Sequence, residues 1–134
     1  MNTRAIVAVT PDFVEPCEAV VDATRMRQAF ANLLDNALKY TPEGGNVRLS
    51  CAVESDRVIV KVRDTGMGIP PHEQPRIWER LYRGDKIRSQ RGLGLGLSLV
   101  KAIVEAHHGE VSVQSQPGEG SEFIVNIPPP AVFV

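Results

Sequence analysis

The stretch DATRMRQAFANLLDNALKYTPEGGNVRLSCAVESDRVIVKV, residues 22–62, decides the fold. Within it Met26, Phe30, Leu33, Leu34, Ala37 and Leu38 recur at three- and four-residue steps, the period of an amphipathic helix, and the run stops at Pro42, Gly44 and Gly45. Asp22 stands where a helix N-cap is expected. The period then changes to two. Val47, Leu49, Cys51 and Val53 alternate with polar neighbours, Ser55-Asp56 turns the chain, and Val58, Val60 and Val62 alternate again. A helix followed by a paired-strand hairpin is the expectation.

Upstream, residues 6–9 form a short β-like run, and Pro11 and Pro16 bracket what reads as an irregular connection. Downstream, residues 64–70 form a glycine-rich turn, and residues 72–82 are expected to hold a short helix around Ile77, Trp78 and Leu81. Residues 84–96 open without hydrophobic periodicity and read as a loop. A second amphipathic helix is expected from near Gly94, with Leu97, Val100, Ile103, Val104 and His107 on neighbouring turns and Gly109 at its end. Val111 and Val113, then Phe123, Val125 and Ile127 beyond Pro117-Gly118, form a closing hairpin. This order predicts an α+β fold: a two-layer α/β sandwich whose mixed, mainly antiparallel sheet carries about three helices on one face.

The length of 134 residues and 43% hydrophobic content fit one domain over residues 1–134, in which aliphatic side chains fill the core because aromatics are only 5%. Fifteen Lys plus Arg against sixteen Asp plus Glu give a formal net charge of -1, which argues against a nucleic-acid partner and makes any anion site local. Cys17 and Cys51 match neither a CxxC pair nor a zinc spacing and read as reduced structural thiols. No stretch approaches the roughly 20 apolar residues of a membrane span, so a segment that is not membrane-embedded and a cytoplasmic location are expected.

Four patterns carry chemistry. Asn32, Asn36 and Lys39 project from one side of the first helix, leaving Leu33, Leu34 and Ala37 for the buried side. Amide oxygens suit Mg²⁺ and an ammonium suits a phosphate, although the same residues also make an ordinary solvated flank. Asp64-Thr65-Gly66-Met67-Gly68-Ile69-Pro70 follows a strand. It reads either as a plain turn or as a place where the backbone approaches a flat ligand and a carboxylate accepts from an exocyclic amine. Gly92-Leu93-Gly94-Leu95-Gly96-Leu97 opens the second helix, whose free N–H groups favour a phosphate, yet it is neither GxGxxG nor a P-loop. Arg76, Arg80, Arg83, Lys86, Arg88 and Arg91 make residues 76–91 basic, enough to fold over a polyphosphate or simply to be solvated.

Together NLLDNALKYT (residues 32–41), DTGMGIP (64–70), IWERLYRGD (77–85), RGLGLGLSLVK (91–101) and GEGSEF (118–123) resemble the ATP-binding catalytic domain of bacterial sensor histidine kinases, over residues 22–127 with 128–134 as a tail. The resemblance implies the Bergerat ATP-binding sandwich with ATP and Mg²⁺ as ligands. It implies Asn36, with Asn32 beside it, as magnesium ligand, Lys39 as phosphate contact, Tyr40 as a pocket wall and Asp64 as the adenine-amine acceptor. Gly66, Gly68 and Ile69 then belong to the first glycine box, and Gly92, Leu93, Gly94, Leu95, Gly96 and Leu97 to the second. Arg83 would reach the γ-phosphate, and Ser121 keeps the hydroxyl of the more usual Thr. Asn36, Lys39 and Arg83 are thus the catalytic candidates. Trp78 and Leu81 depart from the Phe common in the aromatic box, and His108 replaces a glycine. Neither His107 nor His108 resembles the phosphoacceptor, and both read as helix-end residues.

The implied activity is autophosphorylation of a histidine on a separate dimerisation domain, absent from this chain, with a response regulator downstream and a monomeric isolated domain. The alternative is an anti-sigma-type serine kinase module of similar length. The basic aromatic box and the long second glycine box favour the sensor kinase.

Overall fold

The computed structural model describes residues 8–13, 19–80 and 96–129. The elements run β1 (Ala8–Phe13), α1 (Ala23–Tyr40), β2 (Asn46–Glu54), β3 (Arg57–Asp64), a 3-10 turn (Gln74–Arg76), α2 (Gly96–Ala106), β4 (Glu110–Gln116) and β5 (Gly120–Ile127). Helix α1 starts where the side chain of Asp22 caps it, accepting from the Arg25 N–H at 3.0 Å. It stops at Tyr40, two residues before Pro42, and Thr41 donates its hydroxyl back to the Ala37 carbonyl at 2.6 Å.

The strands form one five-stranded sheet in the order β1-β2-β3-β5-β4, parallel only between β1 and β2 and antiparallel elsewhere. Ser55 and Asp56 take φ of 51° and 64°, the left-handed pair that a two-residue hairpin needs to follow strand twist. Val58, Val60, Val62 and Asp64 on β3 point to the helix side, in register with Ile127, Val125, Phe123 and Ser121 of β5. Against them pack Met26, Ala29, Leu33 and Ala37 of α1 and Val100, Ile103 and Val104 of α2. Each fully buried aliphatic or aromatic side chain here stabilises the fold by about 1.5–3 kcal/mol before entropy is counted.

The structure corrects four expectations. Pro11 does not interrupt the first strand, which runs to Phe13; β1 is an edge strand, the place in a sheet where proline is tolerated. Residues 74–76 make one 3-10 turn and Ile77 and Trp78 follow it, so two α-helices stand among the described residues where about three were expected. Pro70, Pro71 and Pro75 crowd that segment and deny it the successive N–H donors of an α-helix. Leu38 is 43% exposed and Val53 54%, at the ends of their apolar runs. Finally, Leu33 and Ala37 are buried but Leu34 only half-buried, and the half-buried Asn32 and Asn36 rim the core; they do not stand opposite it. The second helix is described from Gly96, and Leu81, Cys17 and Pro16 lie outside the described residues.

Candidate functional site

The end of α1 and the turn after β3 meet. Residues 64–70 cross the C-terminal end of α1, with the Met67 N–H toward the Tyr40 carbonyl at 3.4 Å. A Cβ on Gly66 would collide with that same Tyr40 oxygen, so only glycine lets the turn lie so close. Gly68 has φ of 74°, and a Cβ there would run into the Gln116 carbonyl. Four further bonds stitch the turn down: Thr65 N–H to the Asn46 carbonyl at 3.0 Å, Asn46 N–H to Thr65 Oγ1 at 2.8 Å, Gly118 N–H to the Met67 carbonyl at 2.7 Å, and Ile69 N–H to Ser115 Oγ at 2.7 Å.

Asp64 is the last residue of β3 and only 5% exposed. Its Oδ1 accepts from the Gly66 N–H at 2.8 Å. Burial pushes the carboxyl above its usual range, opposed by the backbone N–H groups of Gly66 and Ser121. A desolvated carboxylate held by backbone donors keeps lone pairs for a further donor, which is what recognition of an amine requires.

Ser121 is paired with Asp64 across the ladder and is 8% exposed. Asn36 stands one helical turn before Tyr40, and Asn32 two. Lys39 is exposed, in a 3.1 Å ion pair with Asp35. Ile69 is half-buried and packs on the core. At the start of α2, Gly96 is exposed and Leu97 half-buried. The structure therefore gathers Tyr40, Asp64, Gly66, Gly68, Ile69 and Ser121 through direct contacts, with Asn36 on the same end of α1. Arg83, Gly92, Leu93, Gly94 and Leu95 lie outside the described residues.

Three contributors were missed in the sequence. Ser115 bonds the Ile69 N–H, Gln74 Nε2 donates to the carbonyls of Ile69 (2.9 Å) and Ser115 (3.1 Å), and Thr65 ties the turn to Asn46. Ser115 had a signal, as a polar residue at an inward position after Val111 and Val113; Gln74 had none. Trp78 is a core anchor, edge-to-face on Phe123 at 5.8 Å and 86°, although outside any helix. His107 is indeed a helix-end residue. Its Nε2 accepts the Asp22 N–H at 2.9 Å, which leaves Nδ1 to donate to the Ile103 carbonyl at 2.8 Å and fixes the tautomer.

A solved mycobacterial sensor histidine kinase, MprB, superposes with a TM-score of 0.83 at 31% identity, covering 93% of this chain and 86% of that one. Full-length ShkA in complex with AMPPNP superposes with a TM-score of 0.79 at 32% identity, over 91% of this chain and 25% of that one. The fold is that of a histidine kinase catalytic domain. The chain belongs to the family of histidine kinase-, DNA gyrase B- and HSP90-like ATPases, whose model matches residues 21–131. Among relatives, the adaptive-response sensory kinase SasA of Thermosynechococcus vestitus is 46% identical over 108 residues, 80% of this chain. The chain spans 28% of that relative's length. No helix among the described residues is long and apolar enough to cross a membrane.

Proposed function

We propose that this chain is the nucleotide-binding half of a two-component sensor kinase: it holds magnesium ATP at the C-terminal end of α1 and presents the γ-phosphoryl to a histidine on a separate dimerisation domain. A response regulator would then take the phosphoryl group. The observation that carries this reading is the buried Asp64 carboxylate, clamped by Gly66 in a turn laid on the end of α1. Asp64 accepts the adenine amine, with Tyr40 and Ile69 as walls and Ser121 alongside.

The residues present fit a magnesium ion. Asn36 and Asn32 offer amide oxygens on the rim of the core, and Lys39 is exposed enough to exchange Asp35 for a phosphate oxygen. When bound, the ion supplies charge neutralisation at the phosphate oxygens. The glycine box over Gly92, Leu93, Gly94, Leu95, Gly96 and Leu97 would offer N–H groups to the phosphates, and Arg83 would meet the γ-phosphate. Catalysis here is positioning and electrostatics, because the nucleophile comes from another domain. By itself the chain is a cytoplasmic monomer that binds ATP and turns it over slowly.

The test titrates the chain with Mg²⁺ and a non-hydrolysable ATP analogue while following Trp78 fluorescence and melting temperature. At a hundredfold excess over the dissociation constant, stabilisation of about 2.7 kcal/mol is expected. No thermal shift at millimolar nucleotide overturns the proposal, as does normal autophosphorylation by the full-length kinase carrying Asp64→Asn.

A further inference from the structure

Ser115 stands on the inward side of β4, in register with Ser121. Its hydroxyl has one proton and two lone pairs. It donates to the Gly120 carbonyl at 3.0 Å, accepts the Ile69 N–H at 2.7 Å, and lies 2.8 Å from Ser121 Oγ. With the proton on Gly120 and one lone pair on Ile69, what remains for Ser121 is a lone pair. Ser121 is therefore the donor in that contact, and its oxygen keeps only lone pairs for anything that binds next to it. Its ladder partner is Asp64, which as a carboxylate also only accepts. The result is two acceptors side by side, one of them made so by a third residue.

We infer that Ser115 is a positioning residue that sets the hydrogen-bond polarity of the base end of the site, so that a nucleobase edge carrying an amine is accepted and one carrying a carbonyl is refused. The inference rests on the nucleotide reading above and extends it to specificity. Gln74 plays a different part: it holds the Ile69 and Ser115 carbonyls and so the shape of the turn, without touching the Ser115–Ser121 proton.

The experiment measures dissociation constants of ATP and inosine triphosphate, which differ at the base in a 6-amino group beside a bare N1 against a 6-oxo group beside an N1–H, for the unaltered chain, Ser115→Ala, Ser115→Cys and Gln74→Leu. Melting temperatures are taken alongside. The unaltered chain prefers ATP. In Ser115→Ala the Ser121 hydroxyl is freed to turn and donate to the 6-oxo group, and the preference falls roughly tenfold. Ser115→Cys keeps the shape but pairs poorly, and shifts the ratio the same way by less. Gln74→Leu weakens both nucleotides alike and leaves the ratio intact, which a merely structural role for Ser115 would also do. If the chain binds ATP and the ratio is unchanged in both Ser115 variants, this inference alone is overturned. If the unaltered chain binds neither nucleotide, the reading beneath it falls as well.

Discussion

The Gly66 N–H points at Asp64 Oδ1 from 2.8 Å, and a side chain on that glycine would strike the Tyr40 carbonyl at the end of α1. One backbone group thereby orients the buried carboxylate and seats it against the helix that bears Asn36.

Asp64 predicts opposite effects on stability and on binding. Its folded pKa is raised by burial, so the folded state binds the proton more tightly than the unfolded state. The penalty is absent below the unfolded value of 3.8 and grows as pH rises through the raised folded value. Asp64→Asn, which still accepts from Gly66, is therefore expected to melt no lower than the unaltered chain at pH 7, with its advantage vanishing toward pH 3. ATP-analogue affinity falls in the same variant. Thermal melts from pH 3 to 8 check the sign; a variant that melts lower at pH 7 than at pH 3, relative to the parent, contradicts it.

The glycines sort by what surrounds them. Gly66→Ala and Gly68→Ala each place a methyl group into a backbone carbonyl and are expected to cost about 2–3 kcal/mol, Gly68 also through its φ of 74°. Gly118 has φ of 80° but open space, so Gly118→Ala should cost only about 1 kcal/mol. Urea unfolding of the three variants measures the order.

His108 closes α2 in the left-handed conformation at φ of 61°, with its N–H on the Glu105 carbonyl at 2.9 Å and the Gly109 N–H on the Val104 carbonyl at 3.0 Å. This is a Schellman cap with a histidine where glycine is unstrained. His108→Gly is expected to stabilise the domain by about 1 kcal/mol, seen as a raised urea midpoint. At Gly109 the opposite holds, since a Cβ there meets the Asn126 carbonyl at 2.5 Å.

The Lys39–Asp35 pair is exposed and one helical turn long, so Asp35→Ala should change stability by less than about 0.5 kcal/mol. Lys39→Ala leaves stability equally untouched but weakens the ATP analogue by about tenfold, roughly 1.4 kcal/mol. Equal affinities in parent and Lys39→Ala would remove Lys39 from the phosphate contacts.

The legible part of the fold was local. The Asp22 cap, the stop at Pro42, the Ser55-Asp56 hairpin and the alternating strands each follow from residues within a few positions of one another, and each stands where expected. The failures were also physical. Residues 72–82 carry apolar spacing that suits a helix, but Pro75 removes an N–H donor within them, and Trp78 packs edge-to-face on Phe123, 45 positions later. Asn32 and Asn36 lie beside the core because a 100° step per residue sets them only part of the way round from Leu33.

By its order of residues alone the chain determined its two long helical segments and its two hairpins, that their apolar faces form one aliphatic core, and which boxes resemble those of sensor kinases, because these depend on period, caps and residue type. Only the tertiary structure decided that Asp64 is buried beside Ser121, that Ser115 saturates its hydroxyl between Ile69 and Gly120, and that His107 accepts from Asp22. Those contacts join residues as far as 85 positions apart, and only the pairing of β3, β4 and β5 and the packing of α1 on α2 bring such groups within hydrogen-bond distance.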